Sequence, residues 1–502
     1  MRVTVRLLLT AFVFCLQGIA VVAAATRADG PMGYDAARQL LVRTSFAATD
    51  REVRAFAALG RTEAVDRLLG MVRREAATPP PEWVGTWDPP PRIRQLSEEE
   101  RRAFQREQVQ RGIELRSWWL TEMLTTPYPL TERMTLFWHN HFVSSLQKVR
   151  SAQLMHRQNA LLRRHALGNF GELLHAVAKD PAMIVYLDGA SNRRGQPNEN
   201  FAREVMELFT LGEGRYTEQD VKEAARSFTG WGIDPQTGAF LFRRPAHDDG
   251  VKTVLGVSGN HDGDAVLDIL LARPETAEHV VAKLWREFVS PVPDAAEVKR
   301  IAARFRESRY DIRTALRDLL LSDAFQADAA RAALIKSPVD LVVGTLRQFA
   351  FETGEVTPFV LQLRQLGQDL LAPPNVKGWP GGEAWINSTT LLARRQWLDR
   401  ILRADEQEGG MRPVNTVPPA PPAAAGGIQR PAIVAPERIA RAMADLRFDS
   451  TRWFGQFAAA DAVGPTRLLL PSDPVGGSHA SPDARGSGAL RALLQDPAYQ
   501  LK

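Results

Sequence analysis

The sequence has 502 residues and a formal net charge of +5, and its 44% hydrophobic and 24% charged residues are ordinary for a globular protein. Its basic residues alternate with acids along predicted helices, which argues against a nucleic-acid partner, because such a partner requires a clustered basic face. The only cysteine, Cys15, excludes intramolecular disulfides, and removal of the first segment would also exclude every cysteine ligand or nucleophile.

The first 25 residues have the pattern of a secretory signal peptide. Arg2 and Arg6 precede an apolar stretch from Leu7 to Ala20, and small residues continue to Ala25. The stretch is too short and too interrupted for a membrane span, although an uncleaved anchor is the alternative. We therefore expect residues 1–25 to be cleaved, which leaves a cysteine-free protein in the periplasm or outside the cell, without a membrane span.

From Tyr34 onward the pattern is helical, with apolar residues at three- and four-residue spacing. One segment departs from it: Phe240 and Phe242 alternate with other residues after a turn sequence, and a short run follows at Val251 to Leu255. The predicted fold class is mainly α, a multi-helix globular domain with a small β-hairpin insertion near residues 239–256.

Composition divides the predicted mature chain into three parts. Residues 26–404 carry the helical pattern and are predicted to form a single large domain. Residues 405–436 are rich in Pro, Ala and Gly, which is typical of a linker. Residues 437–502 are predicted to form a C-terminal helical extension.

The first candidate cluster is a pair of histidines that flank Asn140. His139 and His141 lie two residues apart, so on a helix they would point about 200° apart and reach one ion only if the helix ends there. The pair therefore fits either two metal ligands or one packed and one exposed imidazole.

The second cluster is a polar helix face. At about 100° per residue, Asn200, Arg203, Glu204 and Glu207 share one side of a predicted helix. The two carboxylates could share a metal, form an acid and base pair with separated pKa values, or be held by Arg203. The alternative is a solvated charged face with an Arg203–Glu207 pair.

The third cluster is a predicted turn with His247 and Asp248, which could deliver an imidazole and a carboxylate to a shared site. Ordinary turn chemistry of Asp and Gly explains the same residues equally well.

Together these segments resemble the bacterial domain-of-unknown-function family 1800, over about residues 34–402. The segments that carry the resemblance are Met134–Ser144, Asn198–Gly212, Tyr216–Trp231, His247–Asp248 and Val376–Gly382. The resemblance implies an exported protein without an established activity, often encoded beside a secreted family similar to sulfatases. It implies as partners an extracellular polymer or a co-exported sulfatase-like protein.

The leading hypothesis is a hydrolase or other modifier of an extracellular polymer, either assisted by a divalent metal ion or based on carboxylates and histidines. The candidate catalytic residues are Asn200, Arg203, Glu204, Glu207 and Asp248. The candidate metal ligands are His139, His141 and His247. The rival hypothesis is a non-catalytic envelope or surface protein in which these residues form a buried structural network.

Overall fold

Helices account for most of the chain in the computed structural model, which describes residues 30–89, 91, 95–403, 441–442, 445–458, 461, 463–475 and 486–502. The predicted signal peptide, residues 1–25, and the predicted linker, residues 405–436, lie outside the described residues.

The mainly α class is confirmed. The helices before the β insertion are α1 (Tyr34–Thr44), α2 (Asp50–Ala57), α3 (Arg61–Gly70), α4 (Glu98–Thr125), α5 (Pro129–His141), α6 (Leu146–Val149), α7 (Ala152–Arg164), α8 (Phe170–Ala178), α9 (Pro181–Tyr186), α10 (Asn200–Glu204) and α11 (Glu218–Ser227). The helices after it are α12 (Gly263–Ala272), α13 (Pro274–Phe288), α14 (Ala295–Glu307), α15 (Ile312–Leu320), α16 (Asp323–Gln326), α17 (Pro338–Gln348), α18 (Thr357–Gln365), α19 (Ser388–Leu402), α20 (Ser450–Phe454), α21 (Gly464–Leu469) and α22 (Ser487–Gln495).

The predicted β insertion is present as two small antiparallel hairpins. Strand β1 (Trp231–Ile233) pairs with β2 (Phe240–Phe242), and β3 (Lys252–Val254) pairs with β4 (Val257–Gly259). The strand that contains Phe240 thus pairs back with the residues before its turn and not forward with the segment after Val251. The reason is local, because Asp234 N donates to the Ala239 carbonyl at 2.9 Å and closes the first hairpin.

One continuous hydrophobic core includes side chains from both ends of the described chain. Trp119 and Trp138 are fully buried in α4 and α5, and Trp397 is buried in α19. Trp453 of the C-terminal region joins this core and donates from Nε1 to the Gln348 carbonyl at 3.1 Å. The division into a main domain and a C-terminal extension stays a prediction. No helix among the described residues has the length and apolarity needed to cross a bilayer.

Buried ion pairs fix α5 within this core. The Arg163 guanidinium binds the Glu132 carboxylate, with Nε 2.6 Å from Oε1, and both side chains are buried. On the next position of α5, Arg133 pairs with Asp340, and Lys502 Nζ lies 2.7 Å from the second Asp340 oxygen. The helix that ends in the two predicted histidines is therefore rigidly placed.

Candidate functional site

The helix that carries the two candidate glutamates changes its winding between them. α10 ends at Glu204, and Val205–Thr210 form a π-turn, after which Leu211 N donates to the Met206 carbonyl at 2.8 Å. Each residue of a π-turn advances around the helix axis by less than the roughly 100° of an α-helix. Glu207 is therefore rotated further from Glu204 than in a regular helix, and the two carboxylates meet different surroundings.

Glu207 is held by its neighbours. The Tyr216 hydroxyl donates a hydrogen bond to Glu207 Oε2, and Lys377 Nζ lies 4.0 Å from Oε1. Both oxygens of Glu207 thus face a polar neighbour, one a hydroxyl group and the other an ammonium group.

Glu204 is the opposite case. Its side chain is partly buried, and within the described part of the chain its carboxylate forms neither a hydrogen bond nor an ion pair. Burial, and then the negative charge of Glu207, raise the pKa of Glu204 above its ordinary value. A carboxyl group with a raised pKa beside an ionised one is the pattern of an acid and base pair.

The loop that brings Lys377 to this site is clamped by the end of α5. Asn140 Oδ1 accepts from Trp379 N at 2.7 Å, and Asn140 Nδ2 donates to the Trp379 carbonyl at 3.4 Å. Gly378 has a φ of 86°, and a Cβ there would overlap Asn140 Oδ1, so only glycine fits this approach. Lys377 Nζ then lies 2.9 Å from Glu213 Oε1, at the rim of the site.

His139 lies in an aromatic wall next to this clamp. Its ring centroid is 5.6 Å from that of Trp119 and 5.7 Å from that of Trp379. Burial lowers the pKa of His139 to about 3, so the ring is neutral. Its Nε2 is buried and has no hydrogen-bond partner among the described residues.

His141 faces the π-turn instead. Its Nε2 lies 3.1 Å from the Phe209 carbonyl, and burial holds its pKa well below the ordinary value. The neutral ring must therefore carry its proton on Nε2 and donate it to that carbonyl. The two predicted histidines thus point to different elements, one to the loop at Trp379 and the other to the π-turn.

Two further candidates on α10 are engaged in contacts of their own. Arg203 binds Glu218 through two hydrogen bonds of 2.6 and 2.8 Å. Asn200 Nδ2 donates to Asp188 Oδ2 at 3.2 Å. Both side chains are thus bound to residues outside the carboxylate pair.

The predicted turn residues form a separate structural unit at the hairpins. His247 Nδ1 lies 2.9 Å from the Thr229 carbonyl, and Asp248 binds Arg226 through contacts of 2.9 and 3.1 Å. The hydrogen bonds from Arg226 lower the pKa of Asp248 to about 2. The Asp248 carboxylate thus binds Arg226 and holds α11 against the turn.

The candidate metal ligands do not converge. Among the residues that the structure describes, no group of three His, Cys, Asp or Glu side chains is arranged to hold a metal ion. His141 and His247 each use a ring nitrogen on a backbone carbonyl. Lys377 Nζ instead lies 4.0 Å from Glu207 Oε1, and the charges of both groups act on Glu204.

Three residues of the site are absent from the candidates predicted by sequence, namely Asn140, Tyr216 and Lys377. All three lie inside the segments that carry the family resemblance, which is the signal that could have found them. Their roles depend on contacts between distant segments, since Asn140 and Trp379 are 239 residues apart.

Comparison with known proteins covers nearly the whole chain. A family model described as protein of unknown function (DUF1800) matches residues 39–501. No curated protein and no solved structure matches the chain. The matched range contains every residue of the site described above.

Proposed function

The chain belongs to the DUF1800 family, which confirms the resemblance of its motifs, and from this premise we propose that it is an exported hydrolase of an extracellular polymer that uses Glu204 and Glu207 as acid and base. One observation carries the proposal: Glu204 is a partly buried carboxyl group without a partner in the described chain, beside a Glu207 that Tyr216 holds. Export is supported by the sequence pattern of residues 1–25.

In the proposed reaction each of the two carboxyl groups carries out one proton transfer. Glu204, with its raised pKa, donates a proton to the leaving-group oxygen, while Glu207 accepts a proton from the attacking water. The water oxygen bonds to the carbon that loses the leaving group. Neither an oxidant nor a reductant is required.

An open rim supports a polymeric substrate. The side chains of Lys377 and Glu213 are 63% and 72% exposed. A cavity of about 650 Å³ elsewhere in the molecule, lined by Thr121 and Arg347 among others, includes neither glutamate. A long chain can lie across an open rim beside the carboxylates, whereas small molecules are usually enclosed.

The test is polymer cleavage by purified protein spanning residues 26–502. Neutral, acidic and amino polysaccharides would be screened for new reducing ends with the unmodified protein, Glu204→Gln and Glu199→Gln. We expect cleavage of at least one polymer, a loss of activity of at least about 100-fold in Glu204→Gln, and no loss in Glu199→Gln, which changes the residue directly before α10 and outside the carboxylate pair. Equal rates for the unmodified protein and Glu204→Gln, or no cleavage of any polymer, would contradict the proposal.

A specific observation also favours the non-catalytic alternative, an envelope or surface protein with a structural polar network. Arg203, Asp248, His141 and His247 all bind partners within the chain. Thermal unfolding separates the two functions. The melting temperature of Glu204→Gln should stay unchanged or rise if the carboxyl group is functional, and should fall by several degrees if the group belongs to a structural network.

A further inference from the structure

Two carbonyls near the end of the π-turn accept hydrogen bonds from side chains of other helices. The carbonyls of Leu208 and Phe209 belong to the last turn, where a helix supplies no N–H of its own. His279 Nε2 lies 2.9 Å and Lys283 Nζ 3.1 Å from the Leu208 carbonyl, and His141 Nε2 lies 3.1 Å from the Phe209 carbonyl. Three nitrogen groups thus converge on two adjacent carbonyls.

These capping groups come from two rigid helices. His279 and Lys283 are four residues apart on α13, so they share one face of it. His141 is the last residue of α5, and its ring centroid is 6.2 Å from that of His279. α5 and α13 therefore hold the π-turn directly after Glu207, the residue that contacts Tyr216.

The charges of the cap match the end of the helix. Burial lowers the pKa of His279 to about 4, so its neutral ring donates from Nε2. Burial also lowers the pKa of Lys283, to about 8, which leaves most of this amine charged at neutral pH. A cation is favourable at the negative end of a helix dipole, and within the described residues Lys283 forms no ion pair that would compete.

On the basis of the proposed function, we propose that His141, His279 and Lys283 are positioning residues of the carboxylate pair, which act by holding the π-turn in place. The argument is geometric. Without the wider turn, Glu207 would rotate towards Glu204 and away from Tyr216. If the turn frayed instead, Glu204 would lose the burial that separates it from water.

A π-turn requires such support, because this winding is rare and is seen mostly as single turns at functional sites. Thr210 adds to it from within, since its hydroxyl donates to the Val205 carbonyl at 2.6 Å. His141, His279 and Lys283 supply the hydrogen bonds that the helix cannot provide to its own last carbonyls. They reach the reacting groups only through Leu208 and Phe209.

The experiment measures the pKa of Glu204 directly, by carbon NMR of the glutamate carboxyl groups, with the signal assigned by its loss in Glu204→Gln. Lys283→Met keeps the aliphatic stem and removes the donor, and Lys283→Arg restores a donor. Lys299→Met makes the same change at an exposed position of α14. Melting temperatures are recorded for every variant.

We expect Lys283→Met to lower the pKa of Glu204 by at least about 0.5, because a frayed turn admits water to the carboxyl group. Lys283→Arg should bring the value back, and Lys299→Met should leave it unchanged. His279→Gln, which keeps an amide donor, should have a smaller effect than His279→Leu. These single variants provide the same comparison if Lys283→Met does not fold.

An unchanged pKa of Glu204 in folded Lys283→Met and His279→Leu would overturn the positioning role, whatever happened to the melting temperature. This readout does not depend on activity. A failure to cleave any polymer would contradict the proposed hydrolase and leave the pKa measurement standing. An intact hydrolase with an unmoved pKa would contradict only the positioning role.

Discussion

Asp340 and Glu204 are two carboxyl groups withdrawn from solvent that have opposite surroundings. Asp340 is 3% exposed, and it binds Arg133 on one oxygen and Lys502 on the other, at 2.7 Å. Burial opposes its ionisation, but the two cations outweigh burial and hold its pKa well below the ordinary value. Glu204 has no such cation, and its pKa is raised.

The difference separates structural charges from a candidate reactive one. A buried carboxylate bound by two cations cannot change its protonation state without a large loss of stability. A carboxyl group left without a partner is unfavourable for folding, and residues of this kind concentrate at functional sites. The Asp340 network fixes α5 in the core, and α5 in turn positions the loop and the π-turn that surround Glu204.

The largest expected effect comes from removing the charge of Asp340, the structural carboxylate. Asp340→Asn would remove the buried counter-charge of Arg133 and Lys502 and leave them only the partly exposed Glu287, at 3.3 and 3.9 Å, so we expect the free energy of unfolding to fall by about 3–5 kcal/mol. The measurement is chemical denaturation at pH 7.

The matched control is Asp35→Asn, which removes an exposed pair with Arg467 of 2.7 and 2.9 Å. We expect the control to lower stability by about 0–1 kcal/mol. Equal losses for Asp340→Asn and Asp35→Asn would show that burial of the network adds nothing.

Asp180 sharpens the comparison, because it is buried like Asp340 but has only neutral donors. Its Oδ2 accepts from Met183 N and from Gln158 Nε2, both at 2.9 Å, and burial raises its pKa to about 7. The folded protein therefore keeps a proton that the unfolded chain releases above about pH 4. The stability supplied by this proton is complete below pH 4 and is lost as the pH rises towards 7.

Asp180→Asn cannot lose the proton, and its amide can donate to Gln158 Oε1, which has no partner among the described residues. Between pH 5 and pH 8 we expect the variant to gain roughly 3 kcal/mol of stability relative to the unmodified protein. Denaturation curves at both pH values measure this change. The same substitution at the exposed cap Asp294 is the control, and parallel behaviour of Asp180→Asn and the unmodified protein would contradict the prediction.

A smaller loss of stability should follow when the loop around Gly378, next to the carboxylate pair, is displaced. Gly378→Ala places a Cβ against Asn140 at a positive φ, and we expect a loss of about 1–3 kcal/mol together with a weaker Lys377–Glu207 contact. Gly381→Ala has a φ of 72° but no atom within 4 Å, so it isolates backbone strain from the clash. Identical melting temperatures for the two variants would exclude the proposed Asn140 clamp.

Local sequence signals predicted the fold well because they act within a few residues. Ser97 and Glu100 have the spacing in the sequence that predicts a capping box at the start of a helix, and they do cap α4 reciprocally, with Glu100 N 3.2 Å from the serine hydroxyl. The pairing of β2 was harder, since an alternating segment does not show which neighbour it pairs with. Here the turn before Phe240 decided the pairing.

The sequence could indicate only some of the contacts around the candidate site. The carboxylates could be proposed from the sequence because they recur on one helix face, and that pattern needs no distant partner; their catalytic role stays a prediction. The π-turn and the bond from Asn140 to Trp379 could not be proposed in this way, because both depend on packing between segments far apart in sequence. The sequence also could not show that His141 and His247 contact backbone carbonyls, since an imidazole that binds a carbonyl looks the same in a sequence as a metal ligand.

The smallest predicted effect concerns the pair itself. Glu207→Gln removes the charge that adds to burial in raising the pKa of Glu204, so this pKa should fall by about 0.5 or less while remaining above its ordinary value. Glu213→Gln is the control, because it removes an equally charged side chain that binds Lys377 at the rim. Carboxyl NMR of both variants gives the comparison, and a pKa of Glu204 that responds equally to the two changes would mean that the glutamates are not a coupled pair. A fall confined to Glu207→Gln would show that burial and one neighbouring negative charge, which outweigh the more distant Arg203 and Lys377, distinguish Glu204 from Asp340.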